Sequence, residues 1–407
     1  MRHSMLASNI DIIKQTVPII QERGEEITQH FYHLLFEENP ELKDIFNMAS
    51  QKNGRQPASL ANAILGYAAH IDRLEALGDA VGSIAAKHFS LDIQPEQYPI
   101  VGRNLLKAIR EVLGADVATD AVINAWAEAY GQLTNILVGA EKKLYDDAQN
   151  ALGGWSGFKP FRVVQKIAQS SEITSFYLQP VDGQPLPHYK PGQYISLKIT
   201  DASLENTELR QYSLSDAHNG EHYRISVKRE PTLQDDIPAG VASNFLHDKV
   251  NVEDTILVHA PGGNFYLDES DKPLVLISGG VGITPLLSML NDLTLQSSTR
   301  KITWLHGTRN RQTHAFREHI NALNNDLPNL TKVVFYDDVT DAIKETDYNH
   351  EGYMTAQLLK ESCPLDAEFY FCGPLPFMQA IYTTLRQLGV AETQLNFEIF
   401  GPSESLN

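Results

Sequence analysis

A glycine-rich turn late in the chain has the residue types of a phosphate-binding loop. Residues 274–278 are an apolar run, and Gly279-Gly280-Val281-Gly282-Ile283-Thr284-Pro285 follows directly. Glycine lets the backbone approach a ligand closely, and the start of the next helix attracts negative charge. Pro285 stands where a strict G-x-G-x-x-G motif has its third glycine, which disfavours the usual Rossmann dehydrogenase. We expect a pyrophosphate to bind at Gly279, Gly280, Gly282, Thr284 and Pro285.

Two earlier segments carry side chains suited to a flavin nucleotide. An Arg-x-Tyr-Ser motif at 210–213 offers a guanidinium for pyrophosphate, a phenol to pack along the ring system and a hydroxyl for a ring nitrogen. The small-residue segment 240–244 opens a helix whose free N–H groups can hold phosphate. Arg-x-Tyr-Ser also occurs by chance, and the second segment alone fits an ordinary helix cap. The candidate residues are Tyr189, Arg210, Tyr212, Ser213, Gly240, Ser243 and Asn244.

One histidine near the amino-terminal third lies on an apolar helical face. His88 shares that face with Val81, Ile84 and Ala85, and a lone histidine of this kind is most often a satisfied core residue. Tyr98 and Glu141 also project from apolar faces, where a carboxylate needs a partner. A haem ligand needs one ring nitrogen on iron and an acceptor for its other N–H, which Glu141 would supply. The alternative is a purely structural His–Glu pair.

A phenol and an amide would face the other side of such a pocket. Tyr32 shares a helical face with Leu35 and Phe36, and Gln56 precedes the apolar stripe that begins at Leu60 by one turn. Taken singly, Tyr32 and Gln56 each have an ordinary structural explanation that needs no ligand. A tyrosine among phenylalanine and leucine is usually core, and a glutamine just before a proline is usually a helix-start residue.

The surrounding patterns predict three domains. Residues up to about 150 show apolar spacings of three and four, which predict an all-α domain. A glycine-rich segment at 153–157 marks a boundary, and the short β-branched runs that follow predict a small antiparallel β-barrel. Strands and helices then alternate, which predicts a parallel sheet wrapped by helices. The predicted domains are 1–150, 155–268 and 269–407. The predicted barrel strands are 161–164, 173–178, 193–199 and 223–227; the later strands are 274–278, 302–306, 333–336 and 369–372; the later helices are 286–293, one from about 315, one near 356, and 377–387.

Composition excludes several classes of protein. The 407 residues carry 33 Lys plus Arg against 51 Asp plus Glu, and the resulting net charge of −18 disfavours nucleic acid and anionic membrane surfaces as partners. Two cysteines, Cys363 and Cys372, cannot form a disulfide framework, which favours a reducing, cytoplasmic compartment. We find neither a signal peptide nor an apolar membrane segment, and either Met1 or Met5 is a plausible start.

The whole chain resembles the flavohaemoproteins, which join a globin to a ferredoxin reductase-like module. The globin half is similar at Phe31-Tyr32, Asn39-Pro-Glu-Leu-Lys43, Ile45-Phe-Asn-Met48, Lys87-His88, Pro95-Glu-Gln-Tyr98 and Ala125-Trp126 to Tyr130-Gly131. In the reductase half, Arg-x-Tyr-Ser, Gly-Gly-Val-Gly-Ile-Thr-Pro and Cys372-Gly373-Pro374 match in order and spacing, and Glu398-Ile-Phe-Gly-Pro402 matches the carboxyl terminus.

The resemblance assigns roles to individual residues. It implies that His88 is the proximal iron ligand with Tyr98 and Glu141 as its partners, and that Lys87 lies at the haem–flavin boundary. The Cys372-Gly373-Pro374 motif would border the nicotinamide, and Phe400, beside Glu398, would cover the flavin ring. The distal haem pocket would contain Tyr32, Phe46, Gln56 and Leu60.

The implied activity is nitric oxide dioxygenase, in which nitric oxide and O2 become nitrate at a haem that NAD(P)H re-reduces through FAD. The implied cofactors are one haem b and one FAD per chain, in a protein expected to be a monomer. A gas-binding sensor globin and a general reductase of ferric iron, quinones or hydroperoxides are the alternatives. The choice between NADH and NADPH stays open, although Arg309 and Arg311 lie where a 2′-phosphate could bind.

Overall fold

A computed structural model describes residues 5–46, 48, 51, 54–231, 240–401 and 406. Asn47, Pro402 and the alternative start Met1 lie outside these residues. The predicted fold class is confirmed, because a helical region is followed by an antiparallel sheet and then by a parallel sheet.

The first region is built on α-helices that bury one apolar stripe each. Its core joins Ile13, Ile27 and Leu35 of the first helix to Ile109 and Ala125 of two later helices. Pro18 lies inside the first helix, whereas Pro40 and Pro95 begin short 3-10 turns, as expected where the missing N–H has no helical partner. The described α-helices are α1 (Ala7–Glu38), α2 (Arg55–Ala69), α3 (Gly78–Ser90), α4 (Tyr98–Leu113) and α5 (Asp120–Asn150).

The second region is an antiparallel barrel in the order β4-β3-β6-β1-β2-β5. A bridge between Leu214 and Ile225 joins the two outer strands and closes it. Helix α6 (Val241–Asp248) covers one end, where Lys166 Nζ donates to the carbonyl of His247 at 2.7 Å. The strands are β1 (Phe158–Ala168), β2 (Ile173–Pro180), β3 (Tyr194–Ile199), β4 (Glu208–Ser213), β5 (Tyr223–Lys228) and β6 (Thr255–His259).

The third region is a parallel sheet in the order β10-β9-β8-β7-β11-β12, with helices between its strands. Every residue of β7 is buried, which explains why its sequence is a continuous apolar run. The helices are α7 (Ile283–Leu295), α8 (Arg317–Asp326), α9 (Ala356–Ser362) and α10 (Leu375–Gln387). The strands are β7 (Leu274–Gly279), β8 (Ile302–Thr308), β9 (Leu330–Tyr336), β10 (His350–Glu351), β11 (Glu368–Cys372) and β12 (Leu395–Glu398).

Specific side chains hold the three regions together. Phe89, at the end of α3, is 3% exposed and belongs to the core of the barrel. Asp216, after β4, accepts hydrogen bonds from α7, at 2.7 Å from Asn291 to its carboxylate and at 2.7 Å from Ser288 to its carbonyl. In the described part of the chain, no helix is long and apolar enough to cross a membrane.

Candidate functional site

The helical region contains a buried hydrogen-bonded cluster around His88. Nδ1 of His88 lies 2.7 Å from Oε1 of Glu141 and 2.9 Å from Oη of Tyr98, and the Tyr98 hydroxyl donates to the same carboxylate oxygen. Glu141 is 2% exposed, so its charge is balanced by these partners rather than by bulk water. Burial, and then the Glu141 carboxylate, raise the pKa of Tyr98 and keep the phenol protonated.

Neighbouring backbone fixes the position of this cluster. α3 ends two residues after His88, where the amide of Leu91 donates to the His88 carbonyl at 3.1 Å. Tyr130 donates to the carbonyl of Tyr98 at 2.7 Å, and its ring lies only 2.4 Å from where a Cβ at Gly102 would be. Glycine is therefore required there. Nε2 of His88 has no hydrogen-bond partner among the described residues, and 30% of the side chain is exposed. An imidazole with Nε2 unpaired and Nδ1 hydrogen-bonded to a carboxylate is suited to bind a metal ion through Nε2.

The predicted distal residues meet at Tyr32. Its ring lies 5.6 Å from the ring of Phe46, and Nε2 of Gln56 approaches its oxygen at 3.5 Å, a long hydrogen bond. Burial raises the pKa of Tyr32 to about 12, so the hydroxyl keeps its proton. A cavity of about 480 Å³ opens beside Tyr32 and is lined in part by Gln51. Leu60 packs against the same helical core.

A second group of polar side chains lines a cleft where α3, the barrel and the parallel sheet meet. We define this interdomain cleft by Lys87, Tyr194, Arg210, Tyr212 and Glu398, which influence one another's charge. Nζ of Lys87 donates to Oε1 of the Gln211 side chain at 2.6 Å. Arg210 pairs with a neighbouring glutamate, donates to the Leu209 carbonyl at 2.8 Å and makes further contacts.

The cleft holds two ionisable side chains with shifted pKa values, Lys87 and Glu398. Solvent reaches the Lys87 side chain, yet the surrounding protein lowers its pKa to about 8 despite the attraction of Glu398. Burial raises the pKa of Glu398 to about 8, and its Oε2 atom has no hydrogen-bond partner in the structure. Cys372 is paired with Glu398 across β11 and β12, and burial raises the pKa of its thiol well above the usual value.

Tyr189, a predicted flavin residue, lies outside this group. It is 8% exposed in the barrel core, its ring packs 5.6 Å from that of Tyr223, and its hydroxyl donates to the carbonyl of Asp216 at 2.5 Å. Tyr194, which we did not predict, faces Glu398 and Ser90 instead. Tyr189 and Tyr194 are five residues apart. The turn before β3 separates them, so that Tyr189 lies in the barrel core and Tyr194 lies in the cleft.

The other predicted flavin residues occupy two places. Tyr212 is half-buried against the barrel core, and Ser213 is 7% exposed at the end of β4. At the start of α6, Gly240 is the residue before the helix, and Ser243 donates back to its carbonyl at 3.2 Å. The side-chain oxygen of Asn244 is buried and has no hydrogen-bond partner within the described ranges, which fits acceptance of a hydrogen bond from a ligand at this helix start.

The three glycines of the predicted phosphate loop differ in the space beside their Cα atoms, and only Gly280 has room for a side chain. Gly280 has φ of +52°, and a Cβ there would meet nothing within 4 Å. A Cβ at Gly282 would lie 2.2 Å from the Cys372 carbonyl oxygen, so glycine is needed there for packing between two loops. Gly279 and Gly373 are covered by the ring of Phe377. Protein therefore lies where a Cβ would be at Gly279 and Gly282 but not at Gly280, and the pyrophosphate contacts of this loop stay a prediction.

The remaining nucleotide candidates surround this loop. Thr284 donates to the Val281 carbonyl at 3.0 Å, and Pro285 is buried in the first turn of α7, where a proline is tolerated. Pro374 precedes α10, and Phe400 is 42% exposed after β12.

The two arginines considered for a 2′-phosphate already have acidic partners. Arg309 pairs with Glu172 of the barrel, and Nε of Arg311 lies 3.4 Å from Asp347. A 2′-phosphate would therefore compete with carboxylates at both positions.

Comparison with known proteins identifies the family. The globin family profile matches residues 29–137, the oxidoreductase FAD-binding domain matches 160–266, and the oxidoreductase NAD-binding domain matches 276–383. The flavohemoprotein of Oceanobacillus iheyensis is 46% identical over 97% of this chain and 96% of its own length. The flavohemoprotein of Burkholderia sp. strain TH2 is 49% identical over 97% of this chain and 98% of its own. The chain belongs to the flavohaemoproteins.

Solved structures agree with the family. A flavohemoglobin from Malassezia yamatoensis, determined with bound FAD and heme, matches 97% of this flavohaemoprotein and 99% of that chain, with a TM-score of 0.83 and 27% identity. The FAD/NAD-binding domain of a nitric oxide dioxygenase from Vibrio cholerae covers 60% of this chain and 99% of its own, with a TM-score of 0.55 and 37% identity.

Proposed function

We propose that this flavohaemoprotein is a nitric oxide dioxygenase that detoxifies nitric oxide. The overall reaction would convert two NO, two O2 and one NAD(P)H to two nitrate ions, NAD(P)+ and one proton. One observation carries the proposal: the last turn of α3 directs His88 into the helical region while its neighbour Lys87 reaches the interdomain cleft. A gas-binding site and a reductase are thereby adjacent in the chain.

The side chains fit the cofactors that this reaction needs. Haem b fits at His88, because Nε2 is open and Nδ1 is held by a buried carboxylate. FAD fits the interdomain cleft and the start of α6: Oε2 of Glu398 in the cleft and the side-chain oxygen of Asn244 at the helix start are both buried without hydrogen-bond partners among the described residues. When bound, haem supplies the iron for oxygen chemistry, and FAD converts a two-electron hydride into single electrons.

The protein side chains would control charge and protons around these cofactors. Glu141 accepts the Nδ1 proton of His88 and makes the imidazole a stronger electron donor, while Tyr98 fixes the carboxylate. Because Gln56 approaches the oxygen of Tyr32 with its amide, the hydroxyl proton of Tyr32 is free to be donated to a ligand in the pocket. Glu398, with its raised pKa, is the group that would hold a proton in the interdomain cleft.

The proposal is tested by following nitric oxide in the presence of NADH. We expect the purified holoprotein to consume nitric oxide rapidly only when O2 is present and to form one nitrate per nitric oxide. Consumption without O2, or nitrate below the nitric oxide consumed, would contradict the proposal. NADH-driven reduction of ferric iron or quinones without nitrate formation would favour the general reductase, and stable gas binding without turnover would favour the sensor.

A further inference from the structure

Phe377 lies at the point of the parallel sheet where an open α/β fold binds its ligand. The strand order places β8 on one side of β7 and β11 on the other, so the chain reverses direction across the sheet between β7 and β11. Ligands bind outside the carboxyl ends of strands at such a switch point. Phe377 is in the first turn of α10, directly after β11.

The ring of Phe377 packs on the backbone of three neighbouring strand ends. A Cβ at Gly373 would lie 2.6 Å from its Cδ1 atom, and a Cβ at Gly279 would lie 3.0 Å from the same atom. A Cβ at Gly307 of β8 would lie 3.9 Å from its Cε2 atom. The absence of a side chain at Gly279 and Gly373 therefore makes room for the Phe377 ring. This packing is a second reason for glycine at these positions, separate from phosphate binding.

The Phe377 side chain is only partly buried, so part of its surface remains accessible to a ligand. Gly280, the loop glycine with open space around it, directly follows Gly279, on which the ring rests. Cys372 and Glu398 mark the side of the sheet that faces the interdomain cleft, whereas the Cε2 edge of the ring points the other way, toward β8. A dinucleotide with its nicotinamide at the cleft would place its adenosine half on this side.

We propose that Phe377 is the apolar wall of the nucleotide crevice and contacts the adenosine half of NAD(P)H. This inference rests on the proposed function, since it requires a nicotinamide nucleotide as the electron donor. An aromatic side chain offers a large, rigid surface to a ribose or a purine at little entropic cost. Phe377 would thus contribute to binding and not to hydride transfer.

The test uses ADP-ribose, which has the adenosine half and lacks the nicotinamide ring. We expect Phe377→Ala in the holoprotein to weaken ADP-ribose binding about tenfold by calorimetry, which is the loss typical of one good aromatic contact. The limiting rate of flavin reduction at saturating NADH should stay within about twofold of the unmodified protein, since binding and chemistry are separable. Phe377→Leu keeps apolar bulk and should restore most of the affinity.

Two controls separate this contact from general damage to the domain. Phe397→Ala removes another half-exposed ring from the same sheet and should leave ADP-ribose binding unchanged. Gly373→Ala should displace the Phe377 ring, because the new Cβ would lie 2.6 Å from its Cδ1 atom, and should weaken ADP-ribose binding. If Phe377→Ala does not fold, Phe377→Leu carries the test: we expect a loss of ADP-ribose affinity of about twofold, and an affinity equal to that of the unmodified protein would overturn the assignment.

The outcomes distinguish the two proposals. Equal ADP-ribose affinity in the unmodified protein and Phe377→Ala, or a fall confined to the limiting rate of flavin reduction, would overturn the assignment of Phe377 alone. Failure of the unmodified protein to bind ADP-ribose and to accept hydride from NADH or NADPH would overturn the proposed function as well.

Discussion

Three consecutive side chains at the end of α3 have three different surroundings. Lys87 reaches the barrel side chain of Gln211, His88 bonds to Glu141 in the helical region, and Phe89 is buried in the barrel core. Successive residues of a helix are rotated by about 100°, so one turn can serve three surfaces. A substitution at one of these positions can therefore be assigned to one surface.

Replacing His88 by alanine removes the proposed iron ligand. We expect haem content to fall to a small fraction of one per chain, while NADH-driven reduction of a dye through the flavin is retained, since the reductase regions have their own cores. Haem and flavin absorbance of the purified variant, together with dye reduction, measure both effects. Normal haem content without added imidazole would show that the ligand is another residue.

Replacing Tyr32 by phenylalanine removes one hydroxyl and keeps the ring. A hydrogen bond to partially charged oxygen is worth about 1.5–3 kcal/mol, so oxygen should dissociate about tenfold to a hundredfold faster. Carbon monoxide, which develops less charge, should be affected less. Stopped-flow dissociation of both gases makes the comparison, and equal changes for the two would mean that Tyr32 only fills space.

At the scale of elements, the turn between β7 and α7 is constrained by its own protein neighbours. In Gly282→Val the new Cβ would meet the Cys372 carbonyl, and overpacking of this kind costs about 1–3 kcal/mol or more. We expect a lower melting temperature together with slow flavin reduction by NADH. Gly280→Ala has room but an unfavourable φ, so its effect on stability should be smaller, about 1 kcal/mol. Gly66→Ala, in open space on α2, is the control; equal stability of all three variants would contradict this account.

β8 carries a buried histidine that makes stability depend on pH. Burial lowers the pKa of His306 to about 4, and its Nδ1 lies 2.7 Å from Oγ of Ser278. The unfolded chain therefore binds more protons than the native chain between pH 6.5 and 4. It follows that the free energy of unfolding decreases as pH falls through this window, by about 2 kcal/mol from pH 7 to pH 5.

In His306→Gln, the free energy of unfolding should decrease less between pH 7 and pH 5 than in the unmodified protein. Melting temperatures of the sheet region at pH 7 and pH 5 measure the difference between the variants. His33→Gln alters a side chain that is 70% exposed and should leave the pH dependence unchanged. An unchanged pH dependence in His306→Gln would mean that other groups cause the loss.

The strength of the sequence signal explains which elements could be predicted. β7 was predicted because both faces of a central parallel strand are buried, which leaves an unbroken apolar run. β6, β12 and the two-residue β10 were missed, because such short strands show no clear alternation. Two predicted helices were too short at their starts: α7 begins at Ile283 and not at 286, since its first turn overlaps the glycine motif, and α10 begins at Leu375 and not at 377.

The site was predictable where residue type alone restricts the chemistry. A buried carboxylate must find a partner, and this led from Glu141 to His88 and Tyr98. Tyr189 and Tyr194 could not be distinguished, because their environments depend on the turn before β3 and on its register with β4. Phe377 left no sequence signal, since a phenylalanine in the first turn of a helix is usually core.

For the whole molecule, Phe89 is the fully buried aromatic side chain by which the end of α3 packs into the barrel core, beside other contacts such as Lys87 with Gln211. Its ring lies 4.6 Å from the ring of His259 in β6 and 5.1 Å from that of Tyr145 in α5. Phe89→Ala would leave a cavity at this junction, at a cost of about 3–5 kcal/mol for a fully buried phenylalanine. We expect slower haem reduction with normal flavin reduction by NADH. Stopped-flow absorbance resolves the two steps, and an equal slowing of both would mean that the damage is not confined to the junction.

The burial of Cys363 and Cys372 has a chemical consequence for a protein that we propose to act on nitric oxide. Burial raises the pKa of the Cys363 thiol to about 12 and that of Cys372 well above its usual value, so neither forms an appreciable amount of thiolate at neutral pH. The thiolate is the form that electrophiles and oxidants attack. The protein should therefore withstand nitrosation and sulfenic acid formation while folded, and a maleimide should label both cysteines only after denaturation.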